Sequence, residues 1–188
     1  MAGAERGVQL DPDASGTTVQ KNRIEDTEDT CVDVNSPGNV IVKNTLRRCL
    51  DEGIHLSAPD NRAEKNKIDT PGDDGIDVDA DADTIVGNKA TVAGDAGTEV
   101  GDGTATATGD LIEANKITGS GSYGIHANAG GNTFRGNKAT KSGLFDLLDD
   151  SLSGTNVYED NKFGTEQIDV PCARLTPPGP AGPTGGCA

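Results

Sequence analysis

The fold of this chain is constrained above all by a repeat of about 22 residues. Seven short phrases centred on an asparagine, such as KNRI, KNKI and ANKI, recur in register along most of the sequence. Most of these asparagines are 22 residues apart, and the two exceptions are intervals of 27 and 24 residues. Self-similarity at a nearly fixed period is typical of repeat architectures. The seven positions are Asn22, Asn44, Asn66, Asn88, Asn115, Asn137 and Asn161.

An alternation of apolar and polar residues follows each of the first five asparagines. In CVDV, GIHL, GIDV, GTEV and GIHA, the second and fourth residues are mostly apolar and the third is polar. This period of two indicates a short strand with one buried face. No 10–15-residue helical pattern separates the strands, which argues against a two-layer α/β fold and against a helical solenoid.

These patterns predict an all-β fold, a right-handed single-stranded parallel β-helix (solenoid) of about seven coils. Each coil would bury its apolar column against the next coil, and right-handed winding is the general rule for parallel crossovers. The asparagines would stack as a ladder of side-chain amides. We expect an N-terminal cap over 1–16, the β-helix repeats over 17–163, and a C-terminal cap or Pro/Gly-rich tail over 164–188.

The composition of the chain limits the kinds of partner that it can be expected to bind. The chain has a formal net charge of −15, with 32% hydrophobic and 3% aromatic residues. Low hydrophobicity with high net charge is also typical of disorder, but the regular repeat argues for a folded chain. The acidity argues against a nucleic-acid partner, and no apolar run is long enough to span a membrane. The first residues lack an apolar signal segment, so the extracellular location that we expect presumes a removed signal or a fragment.

The four cysteines divide into two pairs. Cys172 and Cys187 flank the Pro/Gly-rich tail, and a disulfide between them would imply an oxidising compartment. Cys31 and Cys49 fall in different columns of neighbouring repeats, so we expect them to be unpaired, as small core residues or free thiols.

Charged residues are sorted by their position in the repeat. A basic stripe follows the asparagines at Arg23, Lys67, Lys89, Lys116, Lys138 and Lys162. An outward-facing column within the predicted strands is instead mostly acidic and holds both histidines of the chain: Asp33, His55, Asp77, Glu99 and His126. Carboxylates about 5 Å apart on neighbouring coils repel each other, which raises a pKa or recruits a cation.

The repeat phrases resemble the parallel β-helix repeats of carbohydrate-binding and sugar-hydrolase proteins, a group similar in fold to pectate lyases, polygalacturonases and alginate epimerases. The segment GDDGIDVD resembles the paired-aspartate strand of polygalacturonases, and this resemblance implies that Asp73 or Asp74 belongs to an acid/base pair. SYGIHAN resembles the epimerase strand, but His126 stands where that motif has aspartate and Asn128 where it has histidine.

The predicted function is that of a secreted polysaccharide-active lyase or hydrolase that acts on an extracellular glycan along the acidic face. We predict catalytic residues Asp74, Asp77 and His55. Substrate would be bound by Asp33, Glu99 and His126. A Ca²⁺ ion would be held by Asp73, Asp77 and Asp79, because calcium prefers clustered carboxylate oxygens.

Three other interpretations stay open at this point. The chain could be a non-catalytic glycan-binding or adhesive module, although its scarcity of aromatic residues counts against this. It could be a structural surface or filament protein that self-associates through its ends or its charged stripes. The acidic column could also be a solvated surface and nothing more.

Overall fold

The computed structural model describes residues 5–103, 107–151 and 155–168, and it confirms the predicted parallel β-helix of about seven coils. These residues form twenty-two short strands, numbered in chain order, in three parallel sheets, and each complete coil contributes one strand to each sheet. The right-handed winding stays a prediction from the crossover rule. Within the described residues no helix could cross a membrane.

Sheet 1 carries the outward acidic column. Its eight strands are β1 (Val8–Leu10), β4 (Val32–Val34), β7 (Ile54–Leu56), β10 (Ile76–Val78), β13 (Ala96–Val100), β16 (Tyr123–Ala127), β19 (Phe145–Asp149) and β22 (Glu166–Ile168). Strands β1 and β22 lie outside the predicted 17–163 repeat region, so sheet 1 continues into both predicted caps.

Two further sheets of seven strands complete the coils. Sheet 2 contains β2 (Thr18–Gln20), β5 (Val40–Val42), β8 (Arg62–Glu64), β11 (Thr84–Val86), β14 (Leu111–Glu113), β17 (Thr133–Arg135) and β20 (Val157–Glu159). Sheet 3 contains β3 (Arg23–Glu25), β6 (Thr45–Arg47), β9 (Lys67–Asp69), β12 (Lys89–Thr91), β15 (Lys116–Thr118), β18 (Lys138–Thr140) and β21 (Lys162–Phe163).

The core is the interior of the coil stack. Most strands are three residues long, and in sheets 2 and 3 only the middle residue points inward, so each coil buries few but large aliphatic side chains. Burying one such side chain contributes about 1.5–3 kcal/mol. The chain thereby builds a continuous core without tryptophan. The largest fully buried side chains include Ile41, Leu46, Ile54, Leu56, Ile68, Ile76, Ile85, Ile112, Ile117, Ile125 and Phe134.

The predicted asparagine ladder is confirmed at the corner between sheets 2 and 3. The side-chain amide of Asn88 donates to Ala63 O at 2.8 Å and to Asn115 Oδ1 at 3.1 Å. The backbone N–H of Asn88 also donates to Asn115 Oδ1, at 2.9 Å. The left-handed backbone, however, falls on the residue before the asparagine, as at Lys43 (φ 57°) and Lys65 (φ 54°). The asparagine therefore serves as a hydrogen-bonding group and not as the turn residue.

A second polar ladder runs along the corner between sheets 1 and 2, and the sequence analysis missed it. At each step a side-chain oxygen accepts the backbone N–H of the coil before, as in Asn39 N–H to Asn61 Oδ1 at 2.7 Å. The column lies five residues before the first ladder. Its members are Asn39, Asn61, Asp83, Asp110, Asn132 and Asn156.

The expectation that Cys31 and Cys49 are unpaired was wrong, because they form a disulfide with Cα atoms 5.4 Å apart. Cys31 lies just before β4 and Cys49 just after β6, so both residues sit at the corner between sheets 3 and 1 in successive coils. Both side chains point inward and are buried at this corner. Their sulfur atoms therefore meet although the two residues occupy different columns of the repeat. Cys172 and Cys187 lie outside the described residues.

Candidate functional site

The outward column of sheet 1 is a single row of facing residues. The strand register aligns Asp33 with His55, His55 with Asp77, Asp77 with Glu99 and Glu99 with His126. We call these five residues the acidic row. Neighbouring members are separated by one strand spacing of about 4.8 Å. The row ends at Leu148, which faces His126 from β19.

His55 lies at the centre of a cluster of three carboxylates, which we call the His55 cluster. Its Nε2 atom is 3.3 Å from Asp79 Oδ2 and 3.8 Å from Asp77 Oδ2. Its Nδ1 atom is 3.4 Å from Asp33 Oδ1. Asp79 reaches His55 because it lies two residues beyond Asp77 in the next coil, on the same outward face. The imidazole is therefore surrounded by carboxylates from both neighbouring coils.

Protonation in the His55 cluster is strongly perturbed. The hydrogen bond that His55 Nε2 donates to Asp79, helped by the nearby charge of Asp77, raises the pKa of His55 to about 9 against the opposing effect of burial. Burial, followed by repulsion from Asp79, raises the pKa of Asp77 to about 7. One oxygen each of Asp33, Asp77 and Asp79 is buried without a hydrogen-bond partner. Buried polar atoms normally have partners, so these three oxygens have unused capacity to accept a proton donor or bind a cation.

A second cluster lies two coils further along the same face, around Glu99. Glu99 Oε1 accepts the side-chain amide of Asn128 at 2.6 Å and lies 3.4 Å from His126 Nδ1. The Nε2 atom of His126 is 3.4 Å from Asp150 Oδ1. Asp74 accepts the Ala96 N–H at 2.6 Å and also forms a side-chain hydrogen bond with Glu99.

The carboxyl groups of Asp74 and Glu99 differ sharply in acidity. Burial, followed by the hydrogen bond and charge of Glu99, raises the pKa of Asp74 to about 10. Burial would also raise the pKa of Glu99, but hydrogen bonds from His126, Asp74 and Asn128 outweigh it and lower that pKa. The pair therefore combines a protonated acid with an ionised carboxylate at neutral pH, the arrangement needed for acid/base chemistry.

The predicted calcium ligands are divided between different groups. Asp77 and Asp79 lie with His55, whereas Asp73 lies with Asp51 and Glu52 on one side. Asp73 also forms a set with Asp74 and Asp95, at the corner before sheet 1. In the described part of the chain, no set of three potential ligands joins Asp73 to both Asp77 and Asp79.

Two of the predicted site residues are buried more deeply than an outward position suggests. Asp74 and Asp33 are each 5% exposed. Asp33 is covered by Arg6, whose Nε atom lies 3.4 Å from Asp33 Oδ2 and 3.1 Å from Asp29 Oδ2. Arg6 precedes the first repeat, so the repeat pattern gave no signal for this contact. Asp77, Glu99 and His126 remain partly exposed and line the accessible surface of the face.

Comparisons with known proteins find a matching family and a similar solved structure. The model of the family "Periplasmic copper-binding protein (NosD)" matches residues 2–171. The catalytic unit of the thermostable GH87 alpha-1,3-glucanase from Streptomyces thermodiastaticus strain HF3-3 is similar, with a TM-score of 0.50 and 18% sequence identity. The alignment covers 88% of this chain and 48% of that unit, so the chain spans about half its length. At this identity the likeness shows the β-helix fold alone. No curated protein matches the sequence.

Proposed function

Because the chain belongs to the NosD family, whose model covers residues 2–171, we propose that it binds a divalent transition-metal ion at the His55 cluster. The observation that carries this proposal is the position of His55 Nε2 beside Oδ2 of both Asp77 and Asp79. These three residues can present one nitrogen and two oxygen ligand atoms within 4.8 Å of one another. The unpartnered buried oxygens of Asp77 and Asp79 add further capacity to bind a cation.

The donor set fits copper better than calcium. A site with imidazole and carboxylate ligands suits Cu²⁺, which also stands highest in affinity among the divalent first-row metals. Calcium prefers sites made of oxygen ligands only, so the imidazole of His55 argues against it. The copper in the family description therefore agrees with the chemistry of these residues.

Asp33 would orient the ligand rather than bind the ion. Its Oδ1 atom lies 3.4 Å from His55 Nδ1, on the side of the ring opposite Asp77 and Asp79. Metal-binding histidines commonly donate their second N–H to a carboxylate, which fixes the tautomer and raises ligand basicity. A bound Cu²⁺ would supply strong local positive charge, and His55 would have to release its Nε2 proton to coordinate it.

The proposal is tested by titrating the protein with Cu²⁺, Zn²⁺ and Ca²⁺ by calorimetry, using wild type and Asp77→Asn. We expect one tight Cu²⁺ site, weaker Zn²⁺ binding, and a loss of Cu²⁺ affinity in the variant of about tenfold to a hundredfold. Tighter binding of Ca²⁺ than of Cu²⁺ would contradict the proposal. So would unchanged Cu²⁺ affinity in Asp77→Asn.

We further infer a location outside the cytoplasm. The buried disulfide between Cys31 and Cys49 supports this, because such bonds persist in oxidising compartments. The word "periplasmic" in the family description points the same way. Localisation of the natural protein by cell fractionation tests this inference, and recovery of the protein in the cytoplasm with both thiols reduced would contradict it.

Polysaccharide cleavage is a second candidate function, and the Asp74–Glu99 pair favours it. A protonated Asp74 beside an ionised Glu99, with Asp77 in the adjacent register, supplies the acid and base that glycan hydrolysis needs. In this proposal Asp74 is the acid and Asp77 the base, and His55 assists both. Glu99 keeps Asp74 protonated and, with His126, contacts the glycan. Asp33 would act only through His55, because it is buried.

The second candidate is tested by screening neutral and uronate polysaccharides for new reducing ends and unsaturated products, with Cu²⁺, with Ca²⁺ and with EDTA. Cleavage that is lost in Asp77→Asn, with unfolding unchanged, would support catalysis on this face. Binding without cleavage would favour a glycan-binding module. If no polysaccharide is cleaved or bound, this candidate is excluded and metal binding is left.

A further inference from the structure

The outer face of sheet 3 carries the basic stripe predicted from the sequence. In the strand register, Lys67, Lys89, Lys116, Lys138 and Lys162 face one another in consecutive coils, and we call these five residues the lysine row. All five side chains are exposed. At one strand spacing of about 4.8 Å per step, the row extends over roughly 19 Å.

Few acidic side chains lie near the lysine row. Within the described residues, no carboxylate lies within 4.0 Å of any of the five ammonium groups. The acids on the neighbouring strands of sheet 2 have a partner of their own, since Arg135 lies 3.0 Å from Glu113 and 3.9 Å from Glu159. One acid does interact with the row: hydrogen bonds from Arg47 and Thr91, helped by the charges of Arg47 and Lys89, lower the pKa of Asp69. Even so, in a chain of net charge −15 the five lysines form a concentrated line of positive charge.

Threonine hydroxyls run parallel to the lysines. The strands β12, β15 and β18 read KAT, KIT and KAT, and each places its lysine and threonine outward and its middle residue inward. Thr91, Thr118 and Thr140 are therefore in register beside the lysine row. Towards the N-terminal coils the two rows border a groove whose lining contains one acid, Asp69, among cationic, hydroxyl and apolar side chains: Lys67, Lys89, Arg47, Thr45, Thr91 and Ile68.

The stacking of the lysines opposes the stability of the sheet that carries them. Like charges directly opposite each other on neighbouring strands destabilise a sheet, and here five are stacked in sequence. A polar, uncharged residue would satisfy the exposed position equally well. An anionic ligand would relieve the repulsion by neutralising all five ammonium groups.

We infer that sheet 3 binds a linear carboxylated polysaccharide along the lysine row. The distance between successive lysines, about 4.8 Å, is comparable to the length of one sugar unit in an extended polymer. Successive uronate carboxylates can therefore meet successive lysines. The threonine hydroxyls can donate to and accept from sugar hydroxyls. An anionic glycan would be repelled by the acidic row on sheet 1, which makes sheet 3 the favourable face.

Two other polyanionic partners fit less well. Single-stranded nucleic acid is held by aromatic side chains on which bases stack, and the outward positions of β12, β15 and β18 hold only lysine and threonine. A second copy of this chain could present its acidic row, but that row contains His55 and His126 among its five members and so lacks a carboxylate for every lysine.

The test measures binding of polygalacturonate and neutral dextran in the presence of EDTA, which removes cation bridging to the acidic face. The row variant is Lys89→Gln/Lys116→Gln. The control is Lys21→Gln/Lys43→Gln, which changes the net charge equally at exposed lysines outside the row. Near physiological salt the Debye length is about 8 Å, so the distant acidic row is largely screened.

We expect wild type to bind polygalacturonate and not dextran, with affinity lost in high salt. The row variant should bind roughly fivefold to tenfold more weakly, and the control should change by less than about twofold. Equal losses in both variants, or no binding by wild type, would overturn the inference. Equal affinity for an oligothymidylate would overturn the assignment to a glycan. Salt-sensitive dimers abolished in the row variant, without polygalacturonate binding, would assign the row to self-association instead.

Discussion

Asp83 and Asp110 are joined across successive coils by a hydrogen bond from the Asp83 backbone N–H to Asp110 Oδ1, at 2.7 Å. They occupy the second ladder, where neighbouring coils carry asparagine. Each asparagine there uses Oδ1 as an acceptor and its amide as a donor, as Asn39 does towards Ser36 O at 2.7 Å. A carboxylate cannot donate, and Oδ2 of both aspartates is buried without a partner.

The two aspartates are expected to make stability fall as pH rises. Burial, opposed by the hydrogen bond from the Asn61 N–H and reinforced by the charges of Asp110, Asp60 and Asp81, raises the pKa of Asp83 to about 8. Burial likewise raises the pKa of Asp110 to about 7. Because the folded state binds these protons more tightly than the unfolded state, the destabilising contribution is absent below pH 3.8 and grows until the folded pKa is passed.

Asp83→Asn should therefore stabilise the protein by about 2 kcal/mol at pH 9 and have little effect at pH 3.5. The substituted amide restores the missing donor and carries no charge. The measurement is the free energy of unfolding in urea at both pH values for wild type and variant. An equal difference at the two pH values would show that Asp83 is not the titrating group.

Asn88→Ala should destabilise the protein by about 3 kcal/mol, because it removes two donated hydrogen bonds and leaves Asn66 without its acceptor. Asn22→Ala is the matched control at the exposed end of the ladder, where only the bond to Asn44 Oδ1 is lost. It should cost less than about 1 kcal/mol. Equal effects in urea unfolding would mean that the ladder contributes no more in the core than at its end.

The disulfide should stabilise the fold by about 3 kcal/mol, because it closes a loop between residues separated by 18 positions. Cys31→Ala/Cys49→Ala should lower the urea midpoint and make it insensitive to a reductant, whereas wild type should shift on reduction. If fully reduced wild type, verified by mass spectrometry, kept its midpoint, the disulfide would have no role in stability.

The sequence predicted the features that repeat with one residue type or one alternation, and it missed features that are not periodic or that mix residue types. His55, Asp77 and Glu99 could be placed on one face because alternation in each repeat fixes which residues point outward. Asp79 could be seen as a neighbour of that face, but its approach to His55 depends on side-chain directions that no pattern records. Arg6 lies before the first repeat, so its contact with Asp33 had no periodic signal.

The disulfide and the second ladder, which were not predicted, both lie at corners between the sheets. Cys31 lies nine residues after its repeat asparagine and Cys49 lies five residues after its own, so their columns differ although one corner brings them together. The second ladder did have a signal, since an asparagine or aspartate stands five residues before six of the seven repeat asparagines. Its mixture of two residue types hid the column. The raised pKa of Asp83 depends on its burial, which the sequence pattern does not record.

Cu²⁺ binding to His55→Gln and to His126→Gln shows whether His55 holds a metal ion. Both histidines belong to the acidic row, but in the described residues only His55 belongs to a set of potential metal ligands. Stoichiometry is measured by calorimetry and nitrogen ligation by electron paramagnetic resonance. We predict one Cu²⁺ with a nitrogen ligand in wild type and in His126→Gln, and loss of that signal in His55→Gln. A signal that persists in His55→Gln, or disappears only in His126→Gln, would show that His55 is not the nitrogen ligand.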